Sequence, residues 1–212
     1  MGESLKKADD LYSKGDLEEA EKIYNEAIQK EDRRQTAYAF RGLGLISLNK
    51  RNSDEALDYF ERSLEIFREI GDKIGEGSIL GNMGWAYKQK SDNKKALEYF
   101  EESRKIHEEL DNKYNLAQDW FSIGMVHGDL VEIPEALECM EKSLDILNEL
   151  DDKINTVNVI FNRGNLYRTI GELNEAEKDY RKVLEILQEI EHKGKEEFQK
   201  QVKKALKEIG GE

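Results

Sequence analysis

Cysteine and proline each occur once in this chain of 212 residues. The lone Cys139 excludes an intramolecular disulfide and a cysteine metal cluster. A single proline, Pro134, leaves long stretches free of helix breakers. Histidine is also scarce. His107, His127 and His192 show no paired helical spacing, so the converging ligands that a metal needs are not in the pattern, and no metal or cofactor is predicted. No apolar run approaches the ~20 residues that span a bilayer, so no membrane insertion is expected. The start, Met-Gly-Glu-Ser-Leu-Lys-Lys-Ala-Asp-Asp, turns acidic too soon for a signal peptide. It also lacks the Ser or Thr of a myristoylation signal, and a cytoplasmic location is expected. Basic charge is in deficit, with 33 Lys and Arg against 46 Asp and Glu and a net charge of −13. Such a surface repels nucleic-acid phosphate and anionic lipid unless a basic patch is segregated. The lysines between Lys193 and Lys207 are broken up by Glu196 and Glu197 and read as a solvated helix face.

What the chain does contain is a self-repeat. Ala20, Ala56, Ala96, Ala136 and Ala176 stand 36, 40, 40 and 40 residues apart. Twelve residues before each stands a tiny residue: Ala8, Gly44, Gly84, Gly124 and Gly164. Four residues after each stands a ring or Met: Tyr24, Phe60, Phe100, Met140 and Tyr180. A fixed period of this length is the mark of a solenoid stacked from units that cannot bury an apolar face alone. The thin core of such an array also accounts for 37% charged residues in an ordered chain.

Each period holds two helical patterns and two turns. In residues 73–112, Ile79, Leu80, Met83, Gly84, Ala86 and Tyr87 recur at threes and fours, the spacing of an amphipathic helix. Lys90-Ser-Asp-Asn93 breaks it, and a second helix follows through Ala96, Phe100, Ser103 and Leu110. The helices are predicted to run about 17–18 residues. Glu31-Asp32-Arg33 arrives four residues early, so the second helix of the first period is predicted to be about one turn shorter. Pro134 falls in a helix's first turn, where it does no harm. Mid-helix Gly costs about 1 kcal/mol relative to Ala. Four in one register predict close helix–helix approach, with the second helix's alanine against the glycine and the ring filling the gap to the neighbouring helix. Phe198, Val202, Ala205, Leu206 and Ile209 outline one more helix that caps the last apolar face. Residues 1–212 are therefore predicted to form a single array with units at about 2–32, 33–72, 73–112, 113–152 and 153–192 and a capping helix over 194–209.

These residues resemble the tetratricopeptide repeat. The matching copies include Ala8-x-x-Leu11-Tyr12-x-x-Gly15-x-Leu17-x-x-Ala20-x-x-x-Tyr24 and Gly164-x-x-Tyr167-x-x-x-Gly171-x-Leu173-x-x-Ala176-x-x-x-Tyr180. The period of 40 resembles the long variant of kinesin light chains and of adaptors that bind regulators of heterotrimeric G proteins. The resemblance implies an all-α, right-handed solenoid of antiparallel helix pairs, in which the first helices line a concave groove that takes a peptide or partner helix. It also implies that an Asn two residues before the glycine, and another just after, hold peptide backbone. Asn162-Arg163-Gly164-Asn165 carries both, Asn82-Met83-Gly84-Trp85 only the first, and the second and fourth units neither.

The predicted groove face carries Tyr38, Arg41, Leu45, Ser78, Asn82, Trp85 and Gln89, and then Gln118, Ser122, Met125, Asn158, Asn162, Asn165 and Arg168. It is almost free of acids in a strongly acidic chain. An Asn amide both donates and accepts, so it pairs with a peptide group of any sequence. Two readings of Trp85 and Met125 stand open, partner anchor or helix packing; Trp120 reads as core. No Walker loop, Gly-x-Gly-x-x-Gly or Gly-x-Ser-x-Gly occurs, and Gly75-Glu-Gly77 follows no strand. Pairs such as Glu18-Glu19 and Glu101-Glu102 read as exposed faces. The function expected is a protein-interaction scaffold rather than an enzyme, monomeric, with a protein or peptide partner and no nucleic acid. The alternatives are a self-assembling structural solenoid and a ligand-sensing regulator.

Overall fold

The computed structural model describes residues 2–29, 31–191 and 194–211. Among them are eleven α-helices and no strand: α1 (Glu3–Lys14), α2 (Leu17–Ala27), α3 (Arg33–Asn49), α4 (Ser53–Glu69), α5 (Lys73–Gln89), α6 (Asn93–Glu109), α7 (Lys113–Asp129), α8 (Ile133–Glu149), α9 (Lys153–Thr169), α10 (Leu173–Glu189) and α11 (Lys195–Glu208). His192 and Lys193 lie outside the described residues. The helices pack as adjacent pairs, the all-α class that the sequence predicts. They divide into two compact units, Met1–Asn112 and Lys113–Glu212.

Local chemistry sets the ends. Asp32, Asp72 and Asp152 accept the backbone N–H of Gln35, Gly75 and Asn155, which caps α3, α5 and α9. Such a cap contributes ~1 kcal/mol. The exits recur every twenty residues: residues 51, 71, 91, 111, 131, 151 and 171 all hold positive φ. Only Gly71 and Gly171 in that series are the residue that takes this conformation freely. α3 to α10 each have 17 residues, about 26 Å. α2 has 11, a larger loss than the single turn predicted. The extra shortfall lies at its exit: α2 ends at Ala27 and α3 starts at Arg33, whereas α4 ends at Glu69 and α5 starts at Lys73.

In the first unit Leu5, Tyr24, Leu43 and Ile46 pack as one apolar cluster, and Phe60, Phe67, Ile79, Leu80 and Met83 as another. In the second unit a single cluster joins Met140, Val159, Phe161, Tyr180 and Val183 to Val202 and Leu206 of α11. The glycine register is where the pairs close, but the neighbour differs from the one expected. A Cβ built on Gly44 would lie 2.4 Å from the Phe60 ring, and one on Gly84 2.7 Å from the Phe100 ring. The ring itself fills the missing side chain's place, and only at Gly124 does the alanine come first, through the Ala136 carbonyl at 3.0 Å. Gly75 and Gly77 lie in the first turns of α5, against Phe67 and His107.

A second tie recurs at period 40. Ser63, Ser103 and Ser143 are fully buried, and each hydroxyl donates to the carbonyl of the residue 26 positions earlier, Ala37, Gly77 and Ala117, at 2.8–2.9 Å. Exposed ion pairs (Arg33 with Glu69, Lys113 with Glu149, Lys153 with Glu189) join the start of a first helix to the end of its mate. Solvent screens these exposed pairs, so they add little to stability.

Candidate functional site

The predicted face is carried by the first helix of each pair, α3 and α5 in one unit, α7 and α9 in the other. In the first unit Tyr38 sets its ring edge-on to Phe67, with centroids 5.1 Å apart, and the Arg41 guanidinium lies 5.1 Å above Tyr38. Arg41 Nη2 stands 3.9 Å from Asp9, and its buried Nε has no hydrogen-bond partner among the described residues. Asp9 also accepts the Tyr24 hydroxyl at 2.6 Å. Burial first, and the Asp9 carboxylate second, push the Tyr24 phenol well above its ordinary range. Ser78 is turned back on its own helix, donating to the Ile74 carbonyl at 2.9 Å. Gln89 is fully engaged: its Nε2 donates to the Leu48 carbonyl at 3.1 Å and its Oε1 accepts Ser53 Oγ at 2.6 Å. It therefore ties α5 to α3 and α4.

Asn82 and Trp85 lie one turn apart on α5. The Asn82 amide bonds no described residue. Trp85 is 37% exposed, with its inner edge against Phe100 at a centroid distance of 5.6 Å. Its two sequence readings are thus combined, one edge packed and the rest open. Beside it opens a cleft of about 600 Å³ lined by Tyr12, Leu45, Leu48, Asn49, Arg51, Trp85, Lys88 and Gln89. The lining contains two cations and no acid. Tyr12, Leu48, Asn49, Arg51 and Lys88 were missed in the sequence reading. The signal for Leu48 and Lys88 was the next helical step along the face, three residues on from Leu45 and Trp85; Tyr12, Asn49 and Arg51 are not reached by that step.

In the second unit Ser122 is buried and donates to the Gln118 carbonyl at 2.8 Å, while Met125 packs against the apolar cluster. Asn162 Nδ2 donates to the Asn158 carbonyl at 2.8 Å. Asn165 Oδ1 accepts the Tyr180 hydroxyl at 2.7 Å, and Arg168 pairs with Glu208 of α11 at 2.6 Å. The side-chain amides of Gln118 and Asn158 bond no described residue, and Asn158 is exposed. Three predicted residues, Asn82, Gln118 and Asn158, therefore present open amides. Gln89, Asn165 and Arg168 hold helices together.

The buried charges are matched. Asp179 and Arg163 form a two-pronged pair at 2.6 and 2.8 Å. Glu76, 6% exposed, accepts from Arg68 at 2.9 Å and Lys73 at 2.7 Å. Burial pushes the Glu76 carboxyl up, but those two donors together outweigh it and hold the group below its usual range. Among the described residues, no three His, Cys, Asp or Glu side chains converge as metal ligands would. Trp120 is half-buried under the Lys142 ammonium at 4.4 Å.

Comparison with solved structures returns the same architecture. BtubC (BKLC) from P. vanneervenii superposes with a TM-score of 0.71 at 22% identity, covering 88% of this chain and 80% of that one. A Rap protein complexed with competence and sporulation factor gives 0.80 at 15% identity, over 88% of this chain and 53% of that one. A kinesin light chain from Podospora anserina with nearly identical repeats gives 0.64 at 15%, over 86% and 92%. At these identities the likeness shows the fold alone. No curated protein matches the chain. The tetratricopeptide repeat family model matches residues 34–109 and 115–189, most of the sequence, and on that match and the helix-pair register this chain belongs to the tetratricopeptide repeat family.

Proposed function

We propose that the chain is a non-catalytic protein-interaction scaffold that binds a peptide or partner helix on the first-helix face. The observation that carries this reading is the pairing on α5 of an open amide, Asn82, with a partly exposed Trp85 beside a cleft of about 600 Å³. That volume suits one or two partner side chains. Gln118 and Asn158 add open amides on the first helices of the second unit. Trp is enriched among residues that dominate binding energy, and an Asn amide reads backbone without regard to sequence. The Rap neighbour, solved with competence and sporulation factor, supports a protein or peptide partner. The reading treats residues 1–212 as one repeat array acting as a monomer in the cytoplasm.

The test is affinity capture from the source cell with wild type and with the Asn82→Ala, Trp85→Ala double variant, followed by mass spectrometry. The double variant is expected to lose the partner while its helical circular dichroism stays unchanged. Equal capture by both proteins would remove this face from the account. Light scattering over a range of concentrations checks the monomer.

A further inference from the structure

The repeat supplies its own internal control, because the same turn is made in several pairs with different residues. The turns between first and second helix occupy residues 49–55 and 89–95 in the first unit, and 129–135 and 169–175 in the second. In the first unit these windows hold five cations, three acids and no large apolar residue. In the second they hold five acids, no cation, and Leu130, Val131, Ile133, Ile170 and Leu173. The shorter first pair turns on Gly15 with one half-buried Leu17. Lys50, Arg51, Lys90 and Ser91 make the turn without apolar side chains, so the fold does not require them there.

Three local costs coincide at the second unit's turns. Leu130, Val131, Ile170 and Leu173 are exposed, Val131 by 73%. Val131 holds φ 63°, which crowds a β-branched side chain against its own backbone. The caps of α4 and α6, Asn52 and Asp92, accept a backbone N–H with their side chains, whereas Glu132 and Glu172 at the starts of α8 and α10 make no such bond. The Glu132 carboxylate pairs with His127 at 2.6 Å instead. The helices that lead into the two turns, α7 and α9, approach each other near their ends, since a Cβ built on Gly128 would lie 3.6 Å from Leu166. The same two turns carry the acids Asp129, Glu132, Glu135, Glu172 and Glu175, of which Glu175 pairs with Lys178 at 3.5 Å.

We propose that this edge of the second unit, Leu130, Val131, Ile170 and Leu173 with the acids of the same turns, docks a basic segment of a partner protein that carries apolar side chains between Lys or Arg residues. Exposed apolar groups accompanied by one sign of charge mark interaction sites, and the sign selects the partner. A second copy of this chain is a poor match: it carries −13 net charge, and its cationic turns have no apolar residues. The surface is separate from the first-helix face and does not depend on that reading.

The probe is a fluorescein-tagged amphipathic helical peptide of Leu and Lys, read by fluorescence anisotropy at two salt concentrations. A Lys and Ser peptide of equal charge and a Leu and Glu peptide serve as controls. The tested variant is Leu130→Ser, Val131→Ser, Ile133→Asn. It leaves the charge unaltered, and its last two substitutions copy Ser91 and Asn93 from the same turn of the first unit. The wild type is expected to bind the Leu and Lys peptide in preference to both controls, more weakly at high salt. The variant is expected to bind it at least about tenfold more weakly, equivalent to ~1.4 kcal/mol. Its melting temperature should be maintained, because relief at position 131 offsets lost packing. The Asn82→Ala, Trp85→Ala protein is expected to bind this probe like wild type. Equal binding by the turn variant, no preference over the Lys and Ser peptide, or a wild-type dimer that the variant abolishes would each overturn the proposal.

Discussion

Val131 is the residue at which local energetics and structure disagree most. A non-glycine residue in the left-handed region costs on the order of 1 kcal/mol, and a β-branched one more. Val131→Gly is expected to raise unfolding free energy by about 1 kcal/mol in urea titrations, and Val131→Ile is expected to give no such gain. At Gly84 the direction reverses. Alanine returns about 1 kcal/mol of helix propensity, but its Cβ would meet a buried aromatic ring, and overpacking costs ~1–3 kcal/mol. Gly84→Ala should therefore lower stability by up to about 2 kcal/mol, and adding Phe100→Leu should recover part of the loss. The glycine register was legible because it repeats. The atom opposite each glycine was not, because Ala96 and Phe100 lie one turn apart on the same helix face and spacing alone does not say which covers the gap.

Among elements, the first and second helices of a pair are locked by more than apolar contact. Ser103 is buried and donates to the Gly77 carbonyl at 2.9 Å. Ser103→Ala is expected to cost about 1 kcal/mol in chemical denaturation, the net value of one such bond. The serine recurs at 63, 103 and 143, so it could have been read from the sequence, but its meaning needs the carbonyl it faces. The start of α5 depends on charge. The Glu76 carboxyl is held below its usual value of 4.5, so its contribution is complete above that value and disappears as pH falls through the lower folded value. Melting temperature followed from about pH 6 to about pH 3 should decline less in Glu76→Gln than in wild type. Among the predicted binding residues, Asn82 and Trp85 on α5, Gln118 on α7 and Asn158 on α9 keep an open side chain. Gln89 and Asn165 do not, because each reaches a neighbouring helix, and a single sequence does not show where an amide finds its partner.

On the scale of the molecule, both compact units are built from one pattern, and the end of the second is closed by α11. Val202, Ala205 and Leu206 lie against the cluster that contains Phe161 and Tyr180. A chain ending at residue 191 is expected to melt earlier and to bind a hydrophobic dye that the full chain excludes, because a solenoid end left open exposes its core. That closing helix, the helix pairs and their 40-residue register were legible because periodicity survives in sequence. The opposite chemistry of corresponding turns was equally present, but its significance rests on backbone angles and missing caps that spacing does not reveal. The left-handed joints carry one further consequence. Arg, Ser, Asp, Val and Gly all occupy the same joint at twenty-residue intervals, so the joint forms with several different side chains, though not at equal cost. An in-frame duplication or loss of one whole period would rejoin like with like, and such a gene can change length in discrete steps without inventing a new junction.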